Sequence, residues 1–390
     1  MKLEGIKVID LSLFLPGPHL SMMMADHGAE VIKVEPPAGE PVRQVGLSKD
    51  GETVWFRNTH RNKQSLCLNL KLPEARDVLL KLCAEADIFI EAFRPGAVER
   101  MGLDYDTLKA INPGLIYCSI SAYGQTGSKR LLPAHDLSIQ ADSGTVSINE
   151  GADGQPAMPG MPVADMAGSL MALSGILMAL YRRTQTGEGD YLDISMQDSL
   201  VAWLPNVMGP VFAEQRSPVV KHERSWGGAA LYGIYRTADD QFLSLGGSEV
   251  KFAVNLLTAL DRADLAELCK QPPGPVQDPV KDFLRQTFAS QTLAYWTDWL
   301  QPVDVCWAPV RSLHEAIHEP HLVEREMLVV DERGNEHLGI PIKFLQEPGQ
   351  LQFNLPQLGQ HNREILMQLG YSDGHIDRLM AAKAVSETVS

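Results

Sequence analysis

KVIDLSLFLPGPHLSMMMADHGAEVIKVE, residues 7 to 35, reads as one strand–helix–strand unit, and it decides the fold. Lys7 to Leu11 has the apolar, β-branched texture of a strand, and Ser12 to Pro18 carries the prolines and glycine of the turn that leaves it. HLSMMMADHG continues as a helix, and Ala29 to Glu35 (AEVIKVE) is a second strand. Two strands joined through a helix run parallel, because a short hairpin cannot make that connection.

Outward from this unit the pattern repeats. SLCLNL (Ser65 to Leu70) is a strand candidate, PEARDVLLKLCAEA (Pro73 to Ala86) a helix opened by proline, and DIFIEAF (Asp87 to Phe93) another strand. After the short helix DYDTLKAINP, Leu115 to Ile120 is strand-like and almost wholly apolar. Strands of this kind lie in a parallel sheet covered on both faces. The turn LFLPGPH lacks the spaced glycines of a dinucleotide fingerprint, so a Rossmann-like sheet is expected without a nicotinamide partner. A long apolar helix over Gly168 to Arg183 leads through TQTGEGD into YLDISMQDSLVAWL, a strand passing into a helix. Beyond Pro218, ALYGIYRTADDQFLSLGG alternates as an antiparallel hairpin does, and helical segments follow. The chain is therefore read as α/β: residues 1–200 as the first part of a large Rossmann-like domain, 220–330 as a smaller α+β domain, and 331–390 as a return to the large one.

The 390 residues are 44% apolar, enough for sizeable cores. Lys and Arg number 34 against 49 Asp and Glu, a net charge of -15, which argues against nucleic acid as a partner. An anionic ligand must then meet a local cluster of basic groups. MKLEGIKVIDLSLF has no charged region followed by a long apolar run, so no secretory leader is expected. The apolar stretch Gly168 to Tyr181 reads as too short for a bilayer, so no membrane is expected. Cys67, Cys83, Cys118, Cys269 and Cys306 are scattered without a CxxC pair, consistent with a reducing, cytoplasmic setting.

Three places could carry chemistry. His135 and Asp136, in LPAHDLSIQADSG, follow a Gly- and Ser-rich loop beyond a parallel-type strand, where functional groups collect, although such a pair also serves as a helix cap. Asp165, in PGMPVADMAGS, stands at the edge of the long apolar helix; it reads either as an N-terminal cap or as a carboxyl group whose pKa is raised by apolar neighbours. Glu249, in LGGSEVKF, follows the glycines that close the hairpin, and on pattern alone is an ordinary surface glutamate. Walker and GxSxG motifs are absent, and HExxH occurs once, as HEAIH at His314 to His318. The HEAIHE run at His314 to Glu319 is explained by an amphipathic helix, so no metal is expected.

Ordered matches along nearly the whole chain resemble the class III CoA-transferase and 2-methylacyl-CoA racemase family. They include GIKVIDLS (Gly5 to Ser12), ADHGAEVIKVEPPAGEPVR (Ala25 to Arg43), FRNTHRNKQSLCLNLK (Phe56 to Lys71), FIEAFRPGAVERMGLDYDTL, NPGLIYCSISAYGQTGS and ILMALYRRTQTGEGDYLDISMQDS. The resemblance implies an interlocked homodimer that binds an acyl-CoA thioester, with coenzyme A entering as substrate and no further cofactor. It places Asp165 where the transferases keep a nucleophile and the racemases an acid or base. It places His135 and Asp136 where racemases carry a His-Asp pair, and matches Glu249 to a glutamate that orients the histidine, with Val250 and Ala253 departing from the surrounding pattern. By the same resemblance Leu68, Phe93, Arg94 and Arg100 line the nucleotide end of CoA; a frequent arginine is replaced by Pro36, so Arg43 is the substitute expected at a phosphate. The implied reaction is proton exchange at C2 of a 2-methylacyl-CoA, its enolate oxygen met by amides at the start of the Asp165 helix or in YGQTG. The alternative is CoA transfer to a free carboxylic acid through an Asp165 intermediate.

Overall fold

A computed structural model describes residues 1–151 and 153–386. The chain divides into two units, the first built from Met1–Thr145, Pro159–Trp203 and the chain from Pro320 on, the second from Val146–Met158 and Leu204–Glu319. The divisions differ from the sequence boundaries in three places: residues 146–158 go with the second unit, that unit resumes at Leu204 rather than at 220, and the return to the first comes at Pro320.

Six parallel strands form the first unit's sheet: β1 (Lys7–Asp10), β2 (Glu30–Glu35), β3 (Lys63–Cys67), β4 (Ile88–Glu91), β5 (Ile116–Ser121) and β6 (Tyr191–Ser195). Their order is β3-β2-β1-β4-β5-β6, the Rossmann arrangement. Ile9 stands opposite Ile32 on one side and Phe89 on the other. Successive residues of a strand face opposite ways, and the two cores follow that alternation. Ile9, Ile32, Phe89 and Tyr117 pack beneath α2 (Pro73–Ala84) and the C-terminal Ile365, Leu366 and Leu379. Val8, Val31, Ile88, Ile90, Ile116 and Cys118 pack against α1 (Pro16–Asp26) and α4 (Val163–Thr186), with α3 (Asp136–Asp142) adding Ile139.

Two elements depart from the sequence pattern for physical reasons. β3 begins at Lys63 rather than Ser65, because the Lys63 ammonium is buried yet satisfied, 3.3 Å from Asp10 and donating to the Pro18 carbonyl at 2.8 Å. Leu68 leaves the sheet and bridges Val385 instead. The long helix α4 starts at Val163, and its 24 residues are long and apolar enough to cross a bilayer, which corrects the expectation that this stretch is too short. In the structure Ala164, Ala172, Ile176 and Ala179 pack into the core, whereas Leu177, Met178 and Tyr181 remain exposed.

In the second unit, β7 (Tyr232–Arg236) and β8 (Phe242–Gly246) form the expected hairpin, and β9 (Trp307–Pro309) adds antiparallel to β8. Leu243 and Leu245 alternate inward to meet Leu256, Leu284, Phe288 and Trp296 from the helices Val250–Ala259, Asp278–Phe288 and Leu293–Leu300. The Trp296 indole donates to the Phe288 carbonyl at 2.9 Å, which satisfies its one buried polar atom.

Candidate active site

The sheet order reverses at β1, whose neighbours are β2 and β4, so the chain leaves adjacent strand ends in opposite directions and opens a crevice there. A cavity of about 370 Å³ occupies this position. Leu13 and Phe14 reach it from the loop after β1, Phe93 and Arg94 from the loop after β4, His135 from beyond β5, and Asp165 from α4.

His135 stands at the N-cap position of α3 with extended backbone, and its ring makes no capping bond. The ring is exposed and lies edge-to-face with Phe14, centres 6.2 Å apart. Asp136 has a different task. Its Oδ1 accepts from the amides of Ala164 at 2.8 Å and Asp165 at 3.3 Å, while Oδ2 accepts from the Gln140 amide at 2.6 Å. Pro162, at the N-cap of α4, has no side-chain acceptor to offer, so a carboxylate from another helix satisfies the exposed amides. The His-Asp dipeptide thus joins the two candidate groups: one residue faces the cavity and the next grips the backbone of Asp165.

Asp165 is therefore not the cap of its helix. It sits in the first turn, partly buried, and its carboxylate accepts no hydrogen bond among the described residues. Loss of water, followed by the nearby charge of Asp136, pushes its pKa up to about 7. Because the first-turn amides already donate to Asp136, they are engaged and do not form the enolate-binding donors expected there. Gln125, in the YGQTG loop, likewise gives its amide to Asp193 at 3.0 Å.

A second cavity, about 800 Å³, lies past the ends of β1, β2 and β3. Leu68, Phe93 and Arg100 line it together with Pro36, Leu70 and Met101, giving an apolar slot with basic groups. Leu13 and Phe93 border both cavities, and Arg94 lines the one with His135. Arg43 lines neither. Its Nε and Nη2 donate to Glu35 at 2.7 and 2.8 Å, Nη2 also reaches the Pro356 carbonyl at 3.0 Å, and the guanidinium rests 4.0 Å from the Phe56 ring centre. It is a structural fork rather than a replacement for the missing arginine. The sequence pattern missed Lys71 and Arg76, which do line the slot; Arg76 Nε is buried without a hydrogen-bond partner among the described residues. The signal was LNLKLPEAR, where Lys71 and Arg76 stand on either side of the proline that opens a helix, beside apolar residues.

Glu249 belongs to the second unit, at the N-cap of Val250–Ala259, where it lines a small cavity with Arg224 and Ser248; Arg224 Nη1 donates to Ser248 Oγ at 3.0 Å. His314 and His318 lie on and just past a short helix closed by a Ser312–Glu315 capping box, and among the described residues no group of three His, Cys, Asp or Glu could hold a metal ion.

The model of "CoA-transferase family III" matches residues 3–362. Human alpha-methylacyl-CoA racemase is 33% identical over 99% of this chain and 98% of its own length. Mouse succinyl-CoA:glutarate CoA-transferase is 30% identical over 99% of this chain and 90% of its own. A CAIB/BAIF family protein from Brucella suis superimposes with a TM-score of 0.82 at 28% identity, covering 94% of this chain and 99% of that one. The chain is an enzyme of CoA-transferase family III, related over its whole length to racemases and CoA-transferases alike.

Proposed function

We propose that the enzyme racemises a 2-methylacyl-CoA by moving a proton at C2 between two groups. The observation that carries this reading is that His135 and Asp165 line one cavity, with the Asp165 carboxyl held near neutrality. Inversion needs an acid and a base on opposite faces of C2, because a single base that returns the proton to the same face restores the starting configuration. In one direction the Asp165 carboxylate takes the C2 proton, an enolate forms, and His135 delivers its own proton to the other face; in the reverse direction the roles exchange. A carboxyl poised near the working pH serves both as donor and as acceptor. The thioester carbonyl itself acidifies the C2 hydrogen, so the chain's own groups suffice for the proton bookkeeping.

The larger slot suits the nucleotide end of the thioester: Leu68, Phe93 and Met101 offer apolar surface, and Lys71, Arg76 and Arg100 offer cations for phosphate. We further propose a cytoplasmic homodimer of the interlocked kind. The exposed apolar residues Leu177, Met178 and Tyr181 on α4 support a protein–protein contact, and the five free thiols suit a reducing setting.

A second reading has specific support, since a D-citramalate CoA-transferase of Chloroflexus aurantiacus is also 30% identical. There Asp165 would attack the donor thioester carbonyl to give a mixed anhydride and CoA thiolate; the thiolate attacks the Asp165 carbonyl, expelling the donor acid and leaving an aspartyl-CoA thioester. The acceptor carboxylate attacks that thioester to give a second mixed anhydride, whose acceptor acyl carbonyl takes the thiolate back to form the new thioester and free Asp165. Incubation with one epimer of a 2-methylacyl-CoA in D2O, without an acceptor acid, separates the two. Deuterium at C2 with appearance of the other epimer supports racemisation. No exchange, with a new thioester forming only after carboxylic acids are added, replaces it with transfer.

A further inference from the structure

We infer that Glu40 is a positioning residue for the reaction, acting through Phe14 on the ring of His135. It rests on the assignment of His135 as an acid and base, and adds a group to which the reaction as proposed gives no part.

Glu40 is fully buried, 1% exposed, in a loop between β2 and β3. Its Oε1 accepts the backbone N–H of Phe14 at 2.9 Å. Phe14 is held at φ 64°, a left-handed conformation that a residue with a bulky side chain rarely adopts unless its surroundings impose it. That conformation sends the Phe14 ring to the edge-to-face contact with His135 in the cavity. The other oxygen of Glu40 lies 3.2 Å from Lys33 Nζ, and Lys33 in turn donates to the Ser12 carbonyl and lies 3.8 Å from Asp10. The carboxylate is thereby fixed by a cation on β2, itself held to the end of β1. A buried acceptor anchored in this way is the kind of support that keeps a reactive side chain within a narrow range of positions. Without the Glu40 acceptor, nothing else seen at the Phe14 amide holds the turn, and the residue relaxes toward φ below zero, carrying its ring off His135.

The test uses the full-length enzyme and the C2 exchange assay with Glu40→Gln, Phe14→Leu, their double variant and His135→Ala. The expectation is a roughly tenfold lower kcat for Glu40→Gln and for Phe14→Leu, with KM for the thioester within about twofold of the parent. The double variant is expected to be no slower than the slower single one, because both act through the same ring. The His135 ring-proton NMR signal, shifted by the Phe14 ring, moves in both single variants. Should Glu40→Gln fail to fold, Phe14→Leu leaves the buried ion pairs untouched and carries the kcat and NMR readouts. Parent-like kcat in folded Phe14→Leu, or losses that multiply in the double variant, overturn the inference while leaving His135 in place. Undiminished exchange in His135→Ala overturns the assignment of His135 itself, and this inference with it.

Discussion

Two aspartates near the same crevice show how differently one fold treats one side chain. Asp10, at the end of β1, is completely buried, yet its carboxyl is held down to about 2: burial alone would raise it, but Lys33, Lys63, Ser12 and Ser21 outweigh that. Asp165, on α4, is less deeply buried but accepts no hydrogen bond and has Asp136 as a like-charged neighbour, so its carboxyl rises to about 7. Partners, rather than depth, separate a carboxylate that holds a structure together from one poised to exchange a proton.

Stability and activity should therefore respond in opposite ways at the two positions. Asp10→Asn strips the buried Lys63 and Lys33 of a shared counter-charge and is expected to cost about 3–5 kcal/mol in denaturant unfolding at pH 7. With a folded pKa below the ordinary value, the contribution of Asp10 is fully present above pH 4 and is lost as pH falls toward 2. Asp165→Asn reverses the sign. The raised folded pKa means that ionised Asp165 is a liability that grows from about pH 4 to about pH 7, so the variant should gain thermal stability over the parent at pH 8 and match it at pH 4, while C2 exchange falls by roughly 100- to 10,000-fold. A stable Asp10→Asn protein, or an Asp165→Asn protein destabilised at pH 8, would break the comparison.

Smaller changes sharpen it. Asp136→Ala removes the cap of α4 and should cost about 1 kcal/mol of stability, with a loss of exchange activity expressed in kcat as the Asp165 backbone loosens. The smallest effect is expected at Arg76→Gln, a several-fold rise in KM for the CoA thioester that diminishes at high salt, with kcat retained.

Much of the parallel sheet was visible in the sequence because β1, β2, β4 and β5 each carry a run of apolar residues and the helices between them open at a proline or a polar turn. Lys63 was left outside its strand because a charge reads as an end signal, and only the three-dimensional placement of Asp10 makes it an interior residue. The helix Val54–His60 (VWFRNTH) carries buried Arg57 and His60 instead of an apolar stripe, so periodicity could not reveal it. His135 and Asp165 were nameable from local pattern, each with a cap as its alternative, and took their roles from the family resemblance; their meeting depends on the grip of Asp136 on the start of α4, which no local pattern encodes. Arg43 was misplaced for the complementary reason: a sequence displays a cation but not the carboxylate that occupies it.

Phe93 stands as a party wall between the two cavities, with its amide fastened to buried Glu91 at 2.8 Å. In the proposed reading, the nucleotide handle of the substrate leans on one side of this ring and the reacting carbon lies on the other. Grip at the handle is then transmitted to the seat of chemistry through a partition that Phe93 shares with Leu13, so a thioester cut short of its nucleotide loses turnover as well as affinity.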